Sequence, residues 1–129
     1  MFETQRITDT QATVQQLKDT IRQFVEERSW QRFHNLKNLS MALSIEAAEL
    51  MEHTQWMTTQ QVVTADFKGH TEVAEEVADI LSYTLAIANA LDIDLTTTLL
   101  SKMIKNRLKY PIGAERTLQA RPTEHDAFD

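Results

Sequence analysis

The stretch that decides the fold is residues 71–91, which read TEVAEEVADILSYTLAIANAL. From Ile80 onwards the stretch is apolar on nearly every side, which indicates a helix at the centre of a helical protein. Its earlier part carries Glu72, Glu76 and Asp79, which lie with Tyr83 within about 60° of one another around a helix. An acidic stripe therefore leads into surface that we expect to be buried.

A second pair of acids lies on the preceding helical segment. Glu46 and Glu49 share one side of that helix with His53, next to an apolar stripe marked by Leu39 and Leu50. The other side of the helix carries the ordinary polar residues. The spacing therefore predicts two Glu-x-x-acid pairs, each at the edge of the core.

Carboxylates gathered at the edge of a core repel each other and lose hydration, at a cost on the order of several kcal/mol per ion. A divalent cation removes that cost. Because the chain has no Cys, and neither pair has a His at i+3, Mg²⁺ fits better than Zn²⁺, with Mn²⁺ as an alternative. A single Glu-x-x-Glu would favour solvated acids in i,i+4 pairs, but two pairs beside apolar stripes favour a metal site.

The composition of the 129 residues indicates one all-helical domain, with 42% hydrophobic residues and two Gly and two Pro. A net charge of −6 disfavours a long nucleic acid as partner. The absence of Cys fits a reducing compartment, and no run reaches about 18 apolar residues, so we expect a cytoplasmic protein without a membrane span.

Four long helices are expected. A capping box from Thr8 to Gln11 predicts a first helix over about 9–28, and Asn38 is a candidate cap for a second helix that reaches about Trp56. A loop over 57–70, a third helix over about 71–91 and a fourth over about 95–110 follow, with Pro111 ending the fourth. We expect the domain to span 1–113 and a polar, mobile tail to span 114–129.

Two further groups are candidates for substrate contacts. Lys102, Asn106 and Lys109 form a basic stripe on the fourth helix, where cations suit a polyphosphate but are also favoured by the helix dipole. Aromatic side chains from the connection before the second helix, and from its end, are able to converge near Glu49 and stack on a base, although core anchoring is the commoner role of Trp. These residues are Trp30, Phe33, His34 and Trp56.

Taken together, these residues resemble the MazG-like all-α nucleoside triphosphate pyrophosphohydrolases, and the dCTP pyrophosphatase branch most closely. The resemblance covers about 21–111, and the 26 residues of segment 50–75 fit the variable spacer of the family's ExxE…ExxD pattern. The matching residues are Trp30, Phe33, His34, Asn38, Leu39, Glu46, Glu49, Trp56, Glu76, Asp79, Tyr83, Ser101, Lys102, Met103, Asn106, Arg107, Tyr110 and Pro111.

The resemblance implies a four-helix-bundle-type domain that forms a homodimer or homotetramer, with sites completed by a neighbouring subunit. It implies Mg²⁺ held by Glu46, Glu49, Glu76 and Asp79, and hydrolysis of a nucleoside triphosphate to a monophosphate and pyrophosphate. One of Glu46 and Glu49 would orient the attacking water. The segment from Trp30 to His34, with Phe33, and Trp56 would surround the base, and Tyr83, Lys102 and Asn106 would lie near sugar and phosphates. Asn38, Lys109 and Tyr110 are further candidate substrate-binding residues.

One position departs from the family. Ile21 stands where dCTP-preferring members are expected to have a polar His that contacts the base, so the departure concerns base preference and not hydrolysis. Two other hypotheses remain open at this point. A di-iron carboxylate bundle would need Glu-x-x-His motifs, whereas His53 is four residues from Glu49. A non-enzymatic helical interaction module would use the same acids and aromatics as a partner surface.

Overall fold

The computed structural model describes residues 6–113, which form five α-helices and no strand. The helices are α1 (Val14–Glu27), α2 (Leu36–Glu52), α3 (Thr59–Thr64), α4 (Thr71–Ala90) and α5 (Leu95–Lys109), with a 3₁₀ turn at Gln31–Phe33. The predicted all-α class is confirmed. The predicted tail over 114–129 lies outside the described residues.

Helix α4 lies at the centre, as its apolar sequence predicts. It packs against α2 on one side and α1 on another. The buried apolar residues of the described chain are three from α4, Leu85, Ala86 and Ala88, together with Val25 from α1 and Leu39 from α2. The core therefore joins three helices, and the acids at the start of α4 are held beside α2.

The predicted start of the first helix is wrong by five residues. Thr8 and Gln11 do make the predicted contact, since the Thr8 N–H donates to Gln11 Oε1 at 2.9 Å, but they close only a turn. A second box starts α1: the Gln16 N–H donates to Thr13 Oγ1 at 3.1 Å, and the Thr13 N–H donates to Gln16 Oε1 at 2.7 Å. The second box precedes the apolar periodicity directly, which is where a capping box continues into a helix.

The cap of α2 is Asn35 and not the predicted Asn38. Asn35 Oδ1 accepts the N–H of Asn38 at 2.9 Å, so the helix begins at Leu36. The side chain of Asn38 instead donates from Nδ2 to the carbonyl of Phe33 at 3.0 Å. This bond ties the 3₁₀ turn, with its aromatic residues, to the first turn of the acid-bearing helix.

Helix α2 ends earlier than predicted, and the predicted loop over 57–70 contains helix α3. A capping box starts α3, in which Thr58 and Gln61 satisfy each other's backbone N–H groups. Six residues are too few to show a periodicity, so the sequence pattern gave no sign of this helix.

The corner between α4 and α5 is held from α1. Lys18 Nζ donates to the carbonyl of Ile93 at 2.9 Å, and Asp94 caps α5 by accepting the N–H of Thr97 at 2.8 Å. Beyond this corner α5 has no buried residue, and Leu99, Leu100 and Ile104 on it are each about 60% exposed. None of the helices in residues 6–113 has the length and apolar character needed to cross a bilayer.

Candidate metal and nucleotide site

The packing of α2 against α4 brings three carboxylates together. Oxygen atoms of Glu46, Glu49 and Glu76 all lie within 4.8 Å of one another, and all three residues are half-buried. The i,i+3 spacing puts the two α2 acids on one face of that helix, and α4 adds Glu76 from the opposite side. The structure thus joins acids that lie 27 positions apart in the chain, from Glu49 to Glu76.

Asp79, the fourth predicted ligand, lies next to this group but is not part of the tight cluster. It is exposed, and it lines the same cavity as Glu46. Its charge contributes to raising the pKa of both Glu46 and Glu76. Asp79 is therefore placed to join the cluster at its open side.

The raised pKa values of Glu46 and Glu76 show that their ionised form costs free energy when no cation is bound. Burial, followed by the hydrogen bond and charge of Glu49 and the charges of Asp79 and Glu76, raises the pKa of Glu46 to about 7. Burial and then Glu49 also raise the pKa of Glu76, and His53 opposes this rise. Carboxylates with raised pKa values at one spot are typical of functional sites.

Two buried oxygens have no hydrogen-bond partner among the described residues: Oε2 of Glu46 and Oε2 of Glu76. Buried polar atoms are normally satisfied, so such a pair needs an explanation. A divalent cation of the hard type explains both, because Mg²⁺ and Mn²⁺ prefer carboxylate oxygens. The residues present therefore fit a bound metal ion.

A cavity of about 460 Å³ opens beside the acids. A second cavity of about 230 Å³ shares Trp30, His34 and Tyr83 with it and adds Phe33 and Asn38. The residues lining the larger cavity are Ile21, Phe24, Val25, Trp30, His34, Glu46, Asp79, Ser82, Tyr83 and Ala86. The predicted aromatic residues of the connection therefore meet Tyr83 beside the acid cluster.

The walls of the larger cavity are held by ring contacts. Trp30 packs edge-on against Phe24 with ring centroids 5.7 Å apart, and the Arg28 guanidinium lies 3.7 Å from the centroid of Phe24. Burial lowers the pKa of His34, which keeps its imidazole neutral, and thus both a donor and an acceptor, at neutral pH. An aromatic wall with one neutral imidazole suits a flat heteroaromatic ring.

The other predicted contact residues are not brought to this site within one chain. Trp56 is 88% exposed in the turn after α2, and it lines neither of the two cavities. The same holds for the predicted residues of α5, Lys102, Asn106 and Lys109, and for Tyr110. The physical reason is that α5 makes little contact with the other helices of its own chain.

His53 is the neighbour of the site that sequence reasoning did not select. Its Nε2 lies 3.9 Å from Oε1 of Glu76. The available signal was its position four residues after Glu49 and seven after Glu46, which places it on the acid face of α2. The partner on α4 was not visible before the two helices were packed together.

Comparisons with known proteins identify the family of this chain. The sequence profile described as the MazG-like family matches residues 41–124, which include all four acids. Human dCTP pyrophosphatase 1 is 34% identical over 114 residues, covering 87% of this chain and 67% of the human protein. The bovine dCTP pyrophosphatase 1 is 33% identical over 109 residues, covering 83% of this chain and 64% of its own length.

A solved structure supports the fold. A pyrophosphatase from Archaeoglobus fulgidus is 37% identical and superposes with a TM-score of 0.70, covering 75% of this chain and 91% of its own. The chain spans about two thirds of the length of the curated relatives, since the match covers 62% of the rat protein. Of the three hypotheses from the sequence, these comparisons support the first: the chain belongs to the MazG-like family, as a nucleoside triphosphate pyrophosphohydrolase.

Proposed function

We propose that this protein is a Mg²⁺-dependent enzyme that converts dCTP, or a related canonical or modified nucleotide, to the nucleoside monophosphate and pyrophosphate. The observation that carries the proposal is the pair of unpartnered buried oxygens on Glu46 and Glu76, which lie beside an aromatic cavity of about 460 Å³. The choice of dCTP rests on the relatives named dCTP pyrophosphatase 1.

Glu46, Glu49, Glu76 and Asp79 would hold the metal, with Mg²⁺ preferred and Mn²⁺ as the alternative. When bound, such an ion supplies charge neutralisation for the triphosphate oxygens. One of Glu46 and Glu49 takes a proton from the attacking water.

The reaction itself is a hydrolysis at the α-β phosphoanhydride. The water oxygen forms a bond to phosphorus, the bond from phosphorus to the bridging oxygen breaks, and pyrophosphate and the monophosphate separate. Positioning and charge neutralisation provide most of the rate in phosphoryl transfer. The other contribution of the protein is therefore to hold the nucleobase and the phosphates in position.

The base would stack where the two cavities adjoin, since Trp30, His34 and Tyr83 line both of them and Phe33 lines the smaller one. Asn38 lines the smaller cavity and holds the 3₁₀ turn in place. Each stacked base contact is worth roughly 1–3 kcal/mol. In this arrangement the triphosphate would extend towards Glu46 and Asp79, which line the same cavity.

A neighbouring subunit of a homodimer or homotetramer would complete the site with five residues: Trp56, Lys102, Asn106, Lys109 and Tyr110. The support is that α5 has no buried residue in the single chain and leaves its apolar side chains exposed. We place the enzyme in the cytoplasm, in keeping with a chain of 129 residues without Cys. Neither a long nucleic acid nor a membrane is proposed as a partner.

The test is an assay of purified protein with a panel of canonical and modified nucleoside triphosphates and Mg²⁺, followed by identification of the products. We expect monophosphate and pyrophosphate, with loss of turnover in EDTA. Diphosphate with orthophosphate, or turnover that survives EDTA, would contradict the proposal.

A matched pair of variants sharpens the assay. Glu49→Gln removes one charge from the cluster, and Glu52→Gln removes one from the exposed part of the same helix. We expect Glu49→Gln to lower kcat at least 100-fold, in the range seen when a group that stabilises a transition state is removed. Glu52→Gln should leave kcat within about twofold, as surface substitutions usually do.

A further inference from the structure

The proposed reaction does not use a group of three neighbouring rings next to Glu76, which are those of His53, His70 and Phe67. His53 on α2 and Glu76 on α4 are both 20% exposed, and His53 Nε2 lies 3.9 Å from Glu76 Oε1. The other oxygen of the same carboxylate, Oε2, is buried and has no hydrogen-bond partner within residues 6–113. The two oxygens of Glu76 therefore have different surroundings.

This division matches what a metal-binding carboxylate needs. One oxygen binds the ion, and the other accepts a hydrogen bond from an outer residue that fixes the orientation of the carboxylate. The cluster of Glu46, Glu49 and Glu76 does not include His53, whose Nε2 lies 3.9 Å from one oxygen of Glu76, so the imidazole is next to this carboxylate but outside the cluster. Its place in the site is that of an outer donor.

The position of His53 is itself fixed from the segment before α4. The ring of His70 contacts the ring of His53 edge-on, with centroids 5.7 Å apart, and the ring of Phe67 lies tilted against that of His70, also with centroids 5.7 Å apart. His70 cannot turn freely, because its Nδ1 accepts the N–H of Val73 at 3.3 Å and so caps α4. The helix cap and the outer donor are thus linked through one ring contact.

We propose that His53 is a positioning residue for the metal site: with an ion bound, its Nε2–H would donate to Oε1 of Glu76, which lies 3.9 Å away in this structure, so that Oε2 would remain for the ion, and the ring of His70 would hold the imidazole there. This inference rests on the proposed metal site. The metal affinity of the protein then depends on a donor at position 53 that touches neither the ion nor the substrate.

A matched pair of substitutions tests this. His53→Gln keeps an N–H donor close to the place of Nε2, and His53→Met has nearly the same length and shape without a donor. The probe is Mn²⁺ alone, measured by titration calorimetry on the full chain without nucleotide. Loss of an outer partner typically weakens metal binding 10–100-fold, so we expect His53→Met to raise the Kd for Mn²⁺ about 10-fold or more, and His53→Gln to keep it within about threefold.

A third variant tests the link to the helix cap. His70→Asn keeps a good capping side chain but removes the ring against His53. We expect a rise in the Kd for Mn²⁺ smaller than that of His53→Met, with the metal-free Tm unchanged within about 2 °C, because caps of similar quality are nearly interchangeable.

The outcomes separate the two proposals. Mn²⁺ binding by the wild type that His53→Met leaves unchanged would overturn the role of His53 and leave the metal site standing. Equal weakening by Gln and Met, with metal-free Tm values like that of the wild type, would also overturn it, since a donor would then not be the relevant property. If His53→Met does not fold, a Kd for His53→Gln more than tenfold above the wild type overturns the inference, and a Kd within threefold supports it. A wild type that binds no Mn²⁺ would overturn both.

Discussion

At the scale of single residues, the most consequential atoms are the buried oxygens of Glu46 and Glu76. The sequence predicted where these acids lie, because i,i+3 spacing beside an apolar stripe defines a helix face. It did not predict which oxygens would be left without a partner, since that depends on how α2 and α4 pack. It likewise did not select His53, whose relevant neighbour is on another helix.

The raised pKa of Glu46 predicts a pH dependence of stability in the metal-free protein. A carboxyl whose pKa rises from 4.5 in the unfolded chain to about 7 in the folded chain keeps its proton longer when folded. The folded state then binds more protons than the unfolded state between these pH values, so the free energy of unfolding falls as pH rises from 4.5 to about 7. Above that range the loss is complete and constant.

Denaturant unfolding in EDTA at several pH values from about 4.5 to 8 measures this slope. We expect Glu46→Gln, which carries no titrating group at this position, to unfold with a flatter pH profile and to be more stable than the wild type at pH 8. Parallel profiles for the two proteins would show that Glu46 does not titrate in this window. Added Mg²⁺ should reverse the order of stability, because the variant has lost a ligand.

Ile21 is the residue at which we expect base preference to change. It lines the larger cavity, where dCTP-preferring members of the family are expected to have a His. We expect Ile21→His to raise kcat/KM for dCTP relative to dTTP about fivefold, because one hydrogen bond is worth about 1 kcal/mol and a factor of ten is 1.4 kcal/mol. Leu17→His, one turn earlier and outside this cavity, is the control and should leave the ratio unchanged.

At the scale of helices, most of the predicted elements are present, and the errors are at their ends. Apolar periodicity identified α1, α2, α4 and α5, because apolar side chains that recur every three or four residues fall on one face of a helix. Two positions are chemically suitable as the cap of each helix: Thr8 and Thr13 for α1, and Asn35 and Asn38 for α2. The true cap is the one that helical backbone follows directly, which is Thr13 in α1 and Asn35 in α2. Sequence alone therefore left these boundaries uncertain by three to five residues.

The cap of α2 provides a test at this scale. Asn35 accepts the N–H of Asn38, and Asn38 in turn holds the 3₁₀ turn that carries Phe33. We expect Asn35→Ala to lower the free energy of unfolding by about 1 kcal/mol, the usual cost of losing such a cap. Asn35→Asp, which preserves the acceptor, should cost less than half of that. The measurement is urea unfolding followed by circular dichroism.

The same substitution should raise KM more than it lowers kcat. Asn35→Ala loosens the turn that carries Phe33, which lines the smaller cavity and is distant from the carboxylates in sequence. A fall in kcat with KM unchanged would place the effect of the cap at the acids instead.

At the scale of the whole molecule, the single chain is short of buried surface. The buried apolar residues in the described part number five, and two of them are alanines. Meanwhile Leu99, Leu100, Ile104 and Leu108 on α5 are at least 60% exposed. A contiguous apolar face of this kind marks an interaction surface in a stable protein. Sequence reasoning placed basic residues of α5 near the phosphates, and within one chain nothing brings them there.

We expect the protein to run as a dimer or tetramer in size-exclusion chromatography with light scattering. Ile104→Glu should shift the mass towards the monomer, since a charge in an apolar interface is strongly disfavoured. Lys105→Glu, at the neighbouring position, should leave the mass unchanged. If the assembly brings Lys102 and Asn106 to the site, the dissociated variant should lose turnover while still binding Mn²⁺. A monomeric wild type with full activity would contradict this arrangement.

The position of the acids on two different helices has a consequence for the lifetime of the polypeptide. The chain between Glu49 and Glu76 contains the short α3 and the turns on either side of it, and few buried groups hold it down. An ion that binds only while α2 and α4 are packed together would suppress local unfolding of this segment, and the suppression would grow with the free concentration of the ion. Protease cleavage within 50–75 should then slow as Mg²⁺ rises. A cell short of the cofactor would lose the enzyme by degradation as well as by inactivity.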